Sequence, residues 1–182
     1  MKCAKDSAEK GRNMSDWISI IYLVGLTLSV IFFVITLLQK PSVEQNIVMM
    51  IAICCGLIWS GYWLGIRTTT MEGQLIAKKF NYAGACSIYF ALNLFYIRYY
   101  RMKVSRLAVA AMGLVSFFFL VVTLTFDRHT WYYKSMELDA AGKLQTVYGP
   151  LHMGYVLMVL GFSLIAIVMT AHQLTLKGHQ YY

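Results

Sequence analysis

The sequence predicts an all-α fold, a polytopic transmembrane helix bundle of about five spans with a small extracytoplasmic β-hairpin before the last. Three observations carry this reading. The chain's 182 residues are 59% hydrophobic and only 13% charged, too little charge to clothe a water-soluble globule of that length. The charges are bunched between apolar runs of about 20 residues, the length that crosses about 30 Å of hydrocarbon at 1.5 Å per residue. One interval between runs instead carries strand-type residues on both sides of a turn.

Taken in order, a polar amino-terminal tail (1–16) leads into a charge-free run at 17–38, which Lys40 and Pro41 bring to an end. This run is too long for a signal-peptide core and lacks a small-residue cleavage pattern, so it is expected to be retained. Further spans fall at 47–66, 107–126 and 153–171. The segment 80–97 is more polar, with Asn81, Ser87, Asn93 and the heptad-spaced Tyr82, Tyr89 and Tyr96. Beside that stripe runs a small-residue series, Ala83, Ser87 and Ala91, which suits a helix packed inside a bundle. The bundle thus covers 17–172, and a polar tail (173–182) closes the chain.

The outer loop, 127–152, is the one sizeable connection. Its stretches 131–138 and 144–148 flank Asp139-Ala140-Ala141-Gly142-Lys143, where Gly142 can take a positive φ; a hairpin is expected. Tyr148-Gly149-Pro150 then opens the last helix, since proline is accommodated in a helix's first turn.

The net charge of +8 does not point to nucleic acid, because the basic residues lie in loops between apolar runs. The lipid bilayer is the expected partner. Arg98, Arg101, Lys103 and Arg106 form the densest basic cluster, which places that connection in the cytoplasm, the amino terminus and hairpin outside, and the carboxyl terminus inside. Lys2, Lys5, Lys10 and Arg12 oppose this assignment, unless translation starts at Met14.

The search for chemistry yields little. Cys3, Cys54, Cys55 and Cys86 form no metal-binding spacing, and no metal or other cofactor is expected. There is no P-loop, nucleophile elbow or pair of intramembrane carboxylates, so no catalytic residue is assigned. His129 and His152 flank the outer loop and would suit a bis-histidine haem, although interfacial histidines satisfied locally are the commoner case. Trp131, Tyr132 and Tyr133 read as an interfacial aromatic belt or, failing that, as ligand-gripping rings. Asn93 and Tyr89 share a helical face and either line a cavity or bond between helices. Gly61 and Gly65 form a G-x-x-x-G; packing within the bundle, together with Ala83 and Ser87, is favoured over a homodimer face.

At this point the order of features resembles the amino-terminal seven-transmembrane sensor domain of bacterial membrane histidine kinases and diguanylate cyclases. Lys79-Phe80-Asn81-Tyr82-Ala83-Gly84 is similar to that family's aromatic-Tyr-x-Gly lead into its third helix. The basic connection follows, then Asp127-Arg128-His129-Thr130-Trp131-Tyr132, like the family's polar-His-aromatic segment, and then its Tyr-Gly-Pro at Tyr148-Gly149-Pro150. The resemblance runs from about Trp17 to the end and is most informative at 79–152. The family has seven helices and an output domain, so the resemblance implies a fragment: a signal-receiving module in the bacterial cytoplasmic membrane, feeding a two-component system or a cyclase. It names no small-molecule or membrane-derived stimulus. Residues placed to receive one are Asp127, His129, Trp131, Tyr148 and His152 in the loop, with Asn93 and Tyr89 beneath. A small transporter or channel subunit is the rival from another class, but the four most apolar runs lack the intramembrane charges or broken helices it should show. A membrane cytochrome is the other, resting on His129 and His152.

Overall fold

The computed structural model describes residues 2–40 and 42–178, with side chains described for 17–40, 42–173 and 175. Five α-helices and one hairpin follow in the order α1 (Lys2–Leu37), α2 (Val43–Arg67), α3 (Met71–Tyr99), α4 (Arg106–Leu124), β1 (Tyr133–Leu138), β2 (Leu144–Tyr148) and α5 (Pro150–Gly178). The breaks between helices are set by side-chain caps. Ser42 accepts from the Gln45 amide at 3.0 Å, Thr70 from Gly73 at 3.3 Å and Ser105 from Ala108 at 3.1 Å, each relieving an otherwise orphaned N–H. α1 stops at Leu37, while the expected breaker Pro41 lies outside the described residues, as do the polar side chains of the amino-terminal tail. At the end of α3, Arg101 takes φ 51° and Met102 donates to the Ile97 carbonyl at 2.9 Å, a left-handed C-terminal cap.

Among the described residues, four helices are long and apolar enough to cross a bilayer: Trp17–Leu37, Val43–Arg67, Arg106–Leu124 and Pro150–Gln173. Their large side chains point outward into what would be water in a soluble protein, with Leu28, Leu114, Phe117 and Leu157 each mostly exposed. The chain is a membrane protein, and these faces meet lipid. α4 ends two residues short of the expected 126, because the chain tightens there into a 3-10 turn, Phe126–Arg128, that buries Phe126.

α3 is the exception that organises the bundle. At 29 residues it is long enough to span, but it is not among the apolar four. It packs against α2 on one side and against α4 and α5 on the other, while α1 rests on α2. Shielded by neighbours, α3 can carry polar groups that lipid would not tolerate. Its crossing with α2 is backbone-close. A Cβ on Gly61 would lie 2.6 Å from the Asn81 nitrogen, and one on Gly84 would lie 2.4 Å from the Cys54 carbonyl oxygen. The G-x-x-x-G therefore packs within the bundle, against Ala77 and Asn81. Gly84, rather than its half-buried neighbours Ala83 and Ser87, forms the second close point.

On the other side, Cys86 of α3, Phe119 of α4, and Met158 and Phe162 of α5 form a buried cluster. Ser116 ties it together by donating to the Cys86 carbonyl at 2.7 Å.

The hairpin forms where expected. β1 and β2 pair antiparallel with Leu138 opposite Leu144, and the register slips once between Tyr133 and Ser135. Asp139 holds the turn, its Oδ1 accepting from the amides of Ala141 at 2.9 Å and Lys143 at 2.8 Å. Gly142 has φ +72°, a conformation that costs a side-chain-bearing residue about 1–2 kcal/mol.

Candidate functional site

The hairpin does not project freely but lies across the ends of the helices. At its tip, a Cβ on Gly142 would meet the Thr69 side chain at 2.6 Å, and the Gly142 carbonyl accepts from Gln74 Nε2 at 3.4 Å. The tip thus rests on the α2–α3 connection. At its base, the Gly149 amide donates to the Tyr132 carbonyl at 2.8 Å and the Leu151 amide to that of Trp131 at 2.9 Å, fixing the hairpin to the start of α5. A Cβ on Gly149 would lie 2.4 Å from the Trp131 carbonyl oxygen, so the Tyr-Gly-Pro sequence is a docking joint as well as a helix start.

Beneath the hairpin sits a nest of tyrosines. Tyr132 and Tyr133 are 0% and 2% exposed and pack with Val122 and Phe126, with Tyr82 and Tyr155 against them. The Tyr82 and Tyr133 hydroxyls are 2.6 Å apart. Tyr82 meets Tyr132 and Tyr155 edge-on at 5.2 and 5.7 Å, favourable geometry for aromatic quadrupoles. Burial away from water pushes the Tyr132 and Tyr133 phenols well above their ordinary range. Of the three rings expected to form an interfacial belt, Trp131 is 58% exposed, whereas Tyr132 and Tyr133 are core. The reason is the turn Phe126–Arg128, which redirects the chain inward directly after α4.

The expected site residues of the loop fall into three places rather than one. Asp127 pairs with Lys79 of α3 at 2.8 Å, with both side chains partly exposed, and Lys79 also lies 5.8 Å from the centre of the Phe126 ring. That hydrogen bond holds the Asp127 carboxyl below its usual range. His129 stacks on Trp131 at 5.1 Å; its Nδ1 accepts from the Trp131 amide at 3.3 Å, and its Nε2 faces Thr125 Oγ1 at 3.2 Å. Both ring nitrogens are therefore engaged, and accepting at Nδ1 leaves the proton on Nε2. Tyr148 and His152 stack with centroids 3.8 Å apart, joining β2 to α5.

Asn93 and Tyr89 lie deeper. Asn93 is buried and its Nδ2 donates to the carbonyls of Tyr89 at 2.8 Å and Phe162 at 3.1 Å, a bond between α3 and α5. Tyr89 instead lines a cavity of about 520 Å³ bounded by α1, α2, α3 and α5. Lys78, Asn81 and Tyr82 line it too, and sequence reasoning nominated none of the three as site residues. The signal for Asn81 lies in the polar stripe of α3, to which it belongs. No group of three or more metal-ligating side chains occurs among the described residues.

The family described as the N-terminal 7TM region of histidine kinase matches residues 18–182. The chain belongs to that family. It is a membrane sensor input module of the histidine kinase type, a region not itself catalytic. No curated protein and no solved structure matches it.

Within this sensor module, the sequence patterns behind the resemblance acquire physical roles. In Tyr82-Ala83-Gly84, the tyrosine bonds the hairpin and the glycine lets α2 approach α3. In Asp127-Arg128-His129-Thr130-Trp131-Tyr132, the acid clamps α3 and the last tyrosine seals the core.

Proposed function

We propose that this sensor module receives its stimulus on the extracytoplasmic hairpin cap and transmits it to α3 and α5 through the tyrosines beneath. The observation that carries the proposal is that each strand of the hairpin is joined to a different helix. Tyr133 of β1 meets Tyr82 of α3 hydroxyl to hydroxyl, while Tyr148 of β2 stacks on His152 of α5. A displacement of the cap relative to the bundle must disturb one junction or the other. A stimulus shifts such an equilibrium only by binding one arrangement better than the other. Asp127, His129, Trp131 and Tyr148 are the receiving residues.

On this reading the chain's own groups serve reception, and the chemistry of the response belongs to a histidine kinase of a two-component system or to a diguanylate cyclase. The module lies in the bacterial cytoplasmic membrane with its amino terminus outside. The basic connection carrying Arg98, Arg101, Lys103 and Arg106 supports that orientation, since α4 separates it from the hairpin. The reading accommodates a homodimer, as α1, α4 and α5 each carry exposed large apolar side chains, Leu28, Leu114 and Leu157 among them.

The test is a fusion to a histidine kinase reporter, with His129, Trp131 and Tyr148 replaced singly by alanine. Basal or stimulated phosphorylation changes in at least one variant that inserts normally. Unchanged output in all three would remove the cap from the receiving role. Efficient labelling of cysteines at 98–106 by an impermeant thiol reagent in intact cells would invert the orientation.

A further inference from the structure

We propose that the 520 Å³ cavity between α1, α2, α3 and α5 binds an amphipathic anion, a carboxylate on an apolar tail, with the carboxylate held at Lys78 and Asn81. This rests on the sensor reading and names the chemical class of the stimulus or co-ligand.

Adjacent lysines on α3 have opposite situations. Lys79 is neutralised by Asp127 at 2.8 Å. Lys78 faces the cavity half-buried, with no carboxylate within ion-pair distance among the described residues. Among the described residues it is the one charged residue in the lining. One turn further on, Asn81 Nδ2 is buried without a hydrogen-bond partner among the described residues, an orphaned donor beside an unpaired cation. Gln74, also in the wall, spends its own amide on the carbonyls of Gly65 and Thr68, so it shapes the rim without competing for an anion.

Polarity changes with depth. Ile58, Ala85 and Ile88 line the cavity on the far side of Asn81 from the hairpin, and Ile88 is about 15 Å along the helix from Lys78. A cation and a free donor near the hairpin, above a limb lined by Ile58, Ala85, Ile88 and Tyr89, match a headgroup and tail. The volume lies within the ~300–1,000 Å³ typical of small-molecule sites. Gln74 connects the wall to the Gly142 carbonyl of the hairpin tip, so an occupant would press on the element that reads the stimulus.

The experiment measures displacement of a fluorescent fatty acid from the purified protein in phosphatidylcholine nanodiscs. Dodecanoate competes, and dodecanol, its neutral counterpart, binds about tenfold more weakly. Lys78→Gln weakens dodecanoate by a similar factor, Lys78→Arg retains it, and Ala85→Phe excludes the tail. Octanoate, which stays in water, and oleate, which enters the bilayer, distinguish an aqueous from a membrane source. Equal affinity for dodecanol and dodecanoate in the unsubstituted protein, or no effect of Lys78→Gln, overturns the proposal. Binding is read without any kinase, so its failure leaves the cap reading standing, and silent cap variants leave the cavity standing.

Discussion

Tyr82 on α3 and Tyr133 on β1 meet hydroxyl to hydroxyl at 2.6 Å, in a nest where Tyr132 and Tyr133 are almost wholly buried. This bond joins the hairpin to the most enclosed helix of the bundle. Its burial gives a pH signature. Because the Tyr132 and Tyr133 phenols are pushed above their ordinary range in the folded state, the unfolded chain ionises first. Their contribution to stability is intact below about pH 10 and is lost progressively above it. Phenolate absorbance during alkaline titration in detergent should lag in the folded protein, and Tyr132→Phe should remove part of the lag. Full ionisation at the free-phenol pH without unfolding would show the nest to be wet.

The Lys79–Asp127 pair behaves in the opposite sense. Its carboxyl is held below the usual range, so the stabilisation is present above that range and disappears as pH falls through the lowered value. The pair is partly exposed, with the two side chains at 32% and 30%, and is worth about 0.2–1 kcal/mol. Asp127→Asn should cost that much at neutral pH and nothing in strong acid, as read by thermal melting in detergent. An equal cost at both pH values would assign the effect to packing.

Gly142 is fixed by two demands, its φ of +72° and the Thr69 side chain pressed against it. Gly142→Ala should destabilise the docked cap by about 1–2 kcal/mol and open the hairpin tip to hydrogen exchange. Unchanged protection of the 139–145 amides would mean that the tip does not rest on the α2–α3 connection.

The α2–α3 crossing has no room for a side chain at Gly61 or Gly84. Leucine at either position should force the helices apart and cost about 1–3 kcal/mol or more, read as lower melting and proteolysis near residues 61–84. Leucine at Gly161, where an added Cβ meets nothing within 4 Å, is the matched control and should be silent.

Much of this architecture was legible in the sequence because lipid imposes one simple demand. Runs such as 17–38 and 153–171 announce themselves by lacking charge, and the hairpin by Asp139 and Gly142. Whether a given polar residue faces a neighbour or a void is decided by packing, which single-sequence periodicity does not encode. Asn93 and Asn81 both lie on α3, yet one bridges to Phe162 and the other leaves a free donor at a cavity. Tyr132 and Tyr133 looked interfacial because they follow Trp131 directly. The 3-10 turn at Phe126–Arg128, invisible to hydropathy, turns them inward. The candidate site was legible as a list of residues but not as three separate loop junctions with Asn93 and Tyr89 apart from them.

The central claim is that the cap speaks to the bundle through the Tyr82–Tyr133 bond. The most direct measurement is a double-mutant cycle on basal autophosphorylation of a kinase fusion, using Tyr82→Phe, Tyr133→Phe and the double variant at matched membrane insertion. Each single substitution breaks the same contact, so the account predicts that each shifts output and that the double variant matches the singles. Output unchanged in all three proteins, or effects that simply add, would contradict it.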